Sequence, residues 1–540
     1  MSETQLFWAY VIAIAAGLFM AWSIGANDVA NAMGTSVGSG ALTLRNAIIV
    51  AAIFEFLGAF FVGQHVSETI RKGILPIEEL GKITDADGVL VGANLYVYGM
   101  MGAILAAATW LLVATYFGLP VSTTHSIVGS VLGFGIVVFW GNLDVIEWGT
   151  VMKIVSSWII SPLLAGGFSC LVFLAIQRLV LYKRDMVGAA RKVAPFLIFL
   201  VLTIISLVTI YKGLKPLSAE WKEILGLLDV VRDVDIGSAE AVQLVTKGYV
   251  YNPEELWFAR PLNFAGALLY AAVIGLVSAI GSIPLLKRIT VEEESSSEEA
   301  KAQNPLISQE LARLKTKIKK LTVIADGDVE EKLSSLGGKI EALSTQLEEQ
   351  ESSVKSSGAG KWGTPQMRAT ERIFVYLQIL SACTVAFAHG ANDVANAIGP
   401  LSGVITVLKT KEVTETSNLS DGWMTIILAL GGVGIVIGLV TWGYKVIETI
   451  GKKITELTPT RGFSVQFGAA ITILVASRAG LPISTTHTLV GAVLGVGFAR
   501  GIGALNLRVV RDIIISWVMT LPAGAFLAIL FFYILKGIFG

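Results

Sequence analysis

Apolar runs of membrane-spanning length dominate the chain. They fall at about 7–24, 44–64, 94–117, 121–140, 154–180, 193–212 and 262–286. After a polar insert they resume at about 373–389, 423–443, 462–479, 482–500 and 511–537. The pattern predicts an all-α integral membrane protein with about 12 transmembrane segments. The runs at 121–140 and 482–500 follow their neighbours across only Gly-Leu-Pro, so half-helices or re-entrant hairpins are the alternative there. The first five and last five segments match in order: Ser157-Trp158 answers Ser516-Trp517, and Pro162 answers Pro522. An odd number of segments separates the two starts, so the five-span repeats enter the membrane from opposite sides. Inverted repeats with helices broken or re-entrant at the midplane are the plan of many secondary transporters.

The expected divisions are residues 1–182, the first transmembrane repeat; 183–287, two additional spans with an external loop; 288–370, a cytoplasmic polar insert; and 371–540, the second repeat. The insert opens with Glu292-Glu293-Glu294-Ser295-Ser296-Ser297-Glu298-Glu299, a solvated linker. Leu311, Leu314, Ile318 and Leu321, then Leu333, Leu336, Ile340, Leu343 and Leu347, recur at heptad spacing and predict a short helical hairpin. Basic residues set the orientation. Lys183, Arg184, Arg191, Lys192, Lys445, Lys452, Lys453, Arg461, Arg500 and Arg508 place their loops and the insert in the cytoplasm, with both termini external. Met1–Gln5 lacks a basic region, so the first run reads as an uncleaved span.

Composition agrees. Of 540 residues 54% are hydrophobic and 15% charged, with mean hydropathy +0.70; soluble domains carry about 25% charge. The net charge is zero, which gives no field for nucleic acid. Cys170 and Cys383 both lie in apolar runs and suggest neither a disulfide framework nor a metal cluster.

Within this apolar background one stretch is written twice. Gly25-Ala26-Asn27-Asp28-Val29-Ala30-Asn31-Ala32 returns at Gly390-Ala391-Asn392-Asp393-Val394-Ala395-Asn396-Ala397. A carboxylate in a membrane segment is expensive and marks a functional site by default. Asp28 and Asn31 share a helix face, and their oxygens suit a hard cation such as sodium. Asn27 points elsewhere, toward a second ligand or a backbone cap. The competing reading makes Asp28 a simple helix cap, which duplication in inverted halves disfavours. A second doubled motif is Gly118-Leu119-Pro120-Val121-Ser122-Thr123-Thr124-His125 and Gly480-Leu481-Pro482-Ile483-Ser484-Thr485-Thr486-His487. Proline suits a first helical turn, so the hydroxyls fall at a helix N-terminus, a natural anion site. Back-bonding to carbonyls is the competing role. His125 and His487 read as structural donors. Carboxylates beside an anion repel it unless cations intervene or the anion brings a proton. Glu55 is a further buried acid, read as a cation or proton waypoint or as a satisfied structural carboxylate.

These stretches, with Glu68-Thr69-Ile70-Arg71-Lys72-Gly73, resemble the inorganic phosphate transporter (PiT) family, which includes sodium–phosphate symporters and bacterial phosphate carriers. The resemblance covers both halves. It implies phosphate bound between inverted repeats and coupled to a cation. It implies a phosphate shell of Asp28, Asn31, Ser122, Thr123, Thr124, Asp393, Asn396, Ser484, Thr485 and Thr486. The implied sodium ligands are Asn27, Asp28, Asn392, Asp393, Thr124 and Thr486. Glu55 resembles a transport-essential glutamate, whose counterpart here is Gln466; the two form the expected cation pathway. The expected function is a sodium-coupled phosphate symporter of the cell membrane with no cofactor besides co-transported sodium. A proton-coupled phosphate or sulfate permease is the alternative, and an anion channel a weaker one. Membrane lipid is an expected partner, and homo-oligomerisation is open. No nucleophile with a paired base argues for an enzyme.

Overall fold

The computed structural model describes residues 2–63, 77–84, 87–208, 210, 264–291, 314, 318, 335–343, 362–413, 421–478 and 483–540. The Glu68–Gly73 stretch, the loop expected to be external and most of the insert, including four of its nine heptad positions, lie outside them. Of the heptad residues described, Ile318 and Ile340 are buried, and Gly337 faces Ile318.

Twelve long helices organise the described residues. They are α1 (Glu3–Ser39), α2 (Leu44–Val62), α3 (Gly92–Tyr116), α4 (Thr123–Val138), α5 (Trp148–Ile176) and α6 (Met186–Val208). There follow α7 (Phe264–Lys287), α8 (Pro365–Thr410), α9 (Asp421–Glu448), α10 (Pro459–Arg478), α11 (Thr485–Ala499) and α12 (Leu507–Phe539). Among the described residues, nine helices are long and apolar enough to cross a membrane. The α4 and α11 helices are apolar but short, with 16 and 15 residues. At 1.5 Å per residue that is about 24 Å, less than the roughly 30 Å of a hydrocarbon core. Helix α10 carries Thr460, Ser464, Gln466 and Thr472 buried along it.

The apolar runs predict the first helix of each repeat to end before its Gly-Ala-Asn-Asp motif. Both helices instead run through it, α1 to Ser39 and α8 to Thr410. The motif's polar groups are met inside the bundle, so the helices have no reason to break. Asp28 therefore lies deep within α1 and caps nothing.

The packing is symmetric under exchange of the two halves. Helix α1 lies along α9 and α8 along α2; α5 packs on α10 and α11, while α12 packs on α3 and α4. The sequence halves are thus interleaved in space, while α6 and α7 pair together with α6 against α8. Glycines set the closest approaches. A methyl on Gly25 would strike the Ile435 carbonyl of α9, and one on Gly390 would strike the Glu55 carbonyl of α2. Gly438 meets the Trp22 carbonyl and Gly58 that of Phe387 in the same exchanged relation.

Overpacking such a crossing costs about 1–3 kcal/mol. Gly438→Ala is expected to lower the thermal unfolding midpoint in detergent. Gly167→Ala, where an added methyl meets nothing within 4 Å, should leave it unchanged or raise it.

Candidate functional site

Helices α1 and α8 carry the doubled motif to one place. Carboxylate oxygens of Asp28 and Asp393 and a ring nitrogen of His389 lie within 4.8 Å of one another, all three residues buried. Two full charges at that separation repel by about 3–4 kcal/mol at an effective dielectric near 20. Among the described residues no lysine or arginine is buried to offset them.

The second motif closes the site from the opposite half. Ser122 is the N-cap of α4 and Ser484 that of α11; each hydroxyl oxygen accepts from the histidine N–H three residues on, at 3.2 Å. An accepting hydroxyl keeps its own hydrogen to donate, so capping leaves both serines able to hold an anion. The threonines form the first helical turn, as the sequence predicts. Asn31 Nδ2 donates to Thr486 Oγ1 at 2.8 Å, and that hydroxyl has Asp28 Oδ1 and the Val121 carbonyl, each at 3.2 Å, as acceptors. In exchanged positions, Asn396 Nδ2 donates to Thr124 Oγ1 at 3.5 Å and to Asp393 Oδ1 at 3.4 Å. Each asparagine of one half therefore grips the hydroxyl turn of the other. Asn31 also reaches Asp28 Oδ1 at 3.5 Å, so Asp28 and Asn31 do share a face. Asn31 Oδ1, Asn396 Oδ1 and Thr123 Oγ1 are buried without a hydrogen-bond partner. Thr485 is half-buried at the same turn of α11.

Two expected ligands sit differently. Asn27, expected to hold sodium, has its side chain engaged by the chain itself. Its Nδ2 donates to Thr115 Oγ1 at 2.9 Å and to the Leu119 carbonyl at 3.0 Å, and its Oδ1 accepts from Val121 N at 3.1 Å. Asn27 thus clamps the link in which Gly118 turns at φ 67°. Asn392 Nδ2 donates to Asp393 Oδ1 at 2.9 Å, with its amide turned to the carboxylate. His487 also departs from the expected donor role. His487 stacks on Trp517 at 3.8 Å and meets the His125 ring at 4.8 Å, with both its ring nitrogens unpartnered.

Glu55 and Gln466 are not counterparts within the fold. The crossings pair Glu55 with Ile435 (58 to 438 is 380, as is 55 to 435), and the second motif's offset of 362 pairs Gln466 with Ile104. Glu55 is tied instead to a residue that the sequence reading missed. His389 places Nε2 2.6 Å from Asp393 Oδ2 and Nδ1 3.3 Å from Glu55 Oε1, ion-pair distances without hydrogen-bond alignment. A signal was present: His389 stands four residues before Asp393, where the first half has Ile24. The two copies, identical over eight residues, already differ at the residue just before them.

A model of the phosphate transporter family matches residues 24–528. The chain belongs to the phosphate transporter family. A Chlamydia muridarum protein classed with the phosphate permeases is 40% identical over 534 residues, 99% of this chain and 100% of its own. The inorganic phosphate transporter 2-1, chloroplastic, of Arabidopsis thaliana is 39% identical over 518 residues, 96% of this chain and 70% of its own. A solved structure described as the sodium-dependent phosphate transporter superposes with a TM-score of 0.67 at 32% identity, covering 98% of this chain and 99% of that one. The family is one of transporters, not enzymes, and its apolar helices make this chain a multi-pass membrane protein.

The Asn27 clamp separates from an ion-ligand role by experiment. Asn27→Leu strips three hydrogen bonds from the Thr115–Val121 link, at about 1–3 kcal/mol for each buried group left unpaired. The thermal midpoint should fall even in sodium-free buffer. A midpoint that falls only when sodium is present would restore Asn27 as a cation ligand.

Proposed function

We propose that the protein is a sodium-coupled symporter that imports inorganic phosphate by alternating access. The carrying observation is the convergence of Asp28 and Asp393 within 4.8 Å in a core where, among the described residues, no lysine or arginine is buried. An anion is favoured in such a place when cations come with it or when it brings a proton of its own. In this reading Asp28 and Asp393, with Thr124, Thr486 and Asn392, hold sodium. Phosphate lies against the hydroxyl turns of Ser122, Thr123, Ser484 and Thr485 and the amides of Asn31 and Asn396. The helix N-termini of α4 and α11 bring positive dipole ends to its oxygens. Phosphate, unlike sulfate, carries a proton near neutral pH and can donate to a carboxylate, which favours it as the anion. The superposed sodium-dependent phosphate transporter supports both the anion and the cation.

The same reading makes the twelve helices two inverted five-span repeats, residues 1–182 and 371–540, with α6 and α7 in 183–287 and the insert at 288–370. Both termini are external and the insert cytoplasmic, in a cell membrane. The exchange-symmetric packing and the short α4 and α11 support this plan. A second reading, coupling to protons, draws on one observation: His389 bridges Glu55 and Asp393 on one side of the site, where the other side has Ile24 and Ile435.

Labelled phosphate uptake into proteoliposomes at fixed pH tests it. Uptake should require an inward sodium gradient, ignore excess sulfate and vanish in Asp28→Asn protein that still folds. Uptake driven equally by a proton gradient without sodium would move the coupling to the second reading. Undiminished sodium-driven uptake by Asp28→Asn would sink the site.

A further inference from the structure

One set of buried polar side chains runs in a line away from the central site. From Asn31 the next turns of α1 present Thr35, Ser36 and Ser39, spaced for one helix face. Helix α10 adds Gln466, whose Nε2 donates to the Ala32 carbonyl at 3.1 Å and to Ser36 Oγ at 3.4 Å. Helix α8 adds Gln378, lying against Gly462, whose Oε1 accepts from Ser39 Oγ at 2.8 Å. All five side chains are fully buried. Thr35 Oγ1, Gln466 Oε1 and Gln378 Nε2 have no hydrogen-bond partner, and Asn31 Oδ1 is unpartnered at the inner end. At the outer end Trp362 Nε1 donates to the Ser39 carbonyl at 3.3 Å.

Buried polar atoms left unpaired cost about 1–3 kcal/mol each, and several along one line suit water or a passing ion. Exchange of the repeats gives a control within the molecule. Offsets of 365 and 362 carry Thr35, Ser36, Ser39, Gln378 and Gln466 to Pro400, Leu401, Val404, Ala13 and Ile104. All five counterparts are buried and apolar, and the last four belong to one hydrophobic cluster. The polar line therefore belongs to one route, not to the repeat as such.

We propose that the α1 face from Asn31 to Ser39, with Gln466 and Gln378, is the hydrated exit from the site toward the side of the insert. Trp362 caps its mouth, and Leu401, Val404 and Ile104 form a dry seal on the opposite side. The route passes small hydrated ions, a cation and a tetrahedral oxyanion, and so rests on the site being an ion site. A merely structural polar network would be equally buried but closed to water.

Single cysteines decide between them, placed in a Cys170→Ala/Cys383→Ala background and reconstituted in liposomes of known orientation. A membrane-impermeant methanethiosulfonate is added on the insert's side. Ser36→Cys and Ser39→Cys should be modified, several-fold more slowly with sodium and phosphate present. Adding Trp362→Ala should speed modification of Ser39→Cys several-fold. Leu401→Cys and Val404→Cys should resist from that side. Folded Ser36→Cys and Ser39→Cys proteins that stay unmodified, or Leu401→Cys modified equally fast from that side, would overturn the route. Phosphate uptake by the same liposomes separates the claims: uptake with an unmodified route refutes the route alone. A modified route with no uptake refutes the phosphate reading and leaves the route standing.

Discussion

Two aspartates brought together in a dry place are the constraint on which the rest of this protein depends. Each would be costly alone in a membrane core; within 4.8 Å of each other they also repel. Hydroxyls, amides and helix N-termini surround them, but the described core offers no buried lysine or arginine. The site thus gathers three buried carboxylates, Asp28, Asp393 and Glu55, around one titratable base, His389, and has donors in place for negative charge. The proposed carrier, binding cation and anion together, answers that imbalance, since either ion alone would leave the other half of the site unsatisfied.

The architecture serves this meeting. Each motif asparagine reaches across to the hydroxyl turn of the other half, Asn31 to Thr486 and Asn396 to Thr124. Glycines at the α1–α9 and α8–α2 crossings let backbones approach closely enough for the aspartates to converge. The exchange of partners between halves ties the site to the whole bundle, so that movement of one half against the other must alter both asparagine grips. The symmetry is then broken at His389 with Glu55 against Ile24 with Ile435, at Asn27 against Asn392, and along the polar face of α1 against its apolar counterpart.

Much of this was legible in the sequence. Hydropathy placed the twelve long helices of the described residues, nine of them long and apolar enough to cross a membrane, and the doubled motifs named residues that meet. Where the reading fell short, tertiary contact overrode a local signal. The polar motif ended the apolar runs, yet α1 and α8 continue because Asp28 and Asn31 find partners on α11. Asn27 looked like one more cation ligand; its neighbours across the bundle, Thr115, Leu119 and Val121, are 88 to 94 residues away in the chain. Glu55 and Gln466 seemed a matched pair by family likeness, whereas the helix crossings match Glu55 to Ile435. His389 lies just outside the eight residues the copies share, so duplication gives no signal for it.

The most direct test of the central claim is phosphate binding to the purified protein in detergent, by calorimetry, as sodium is replaced by choline at constant ionic strength. The account predicts affinity that rises steeply with sodium and is undetectable without it, with sodium binding likewise strengthened by phosphate, since coupling between two ligands is reciprocal. Phosphate affinity indifferent to the replacement would contradict it.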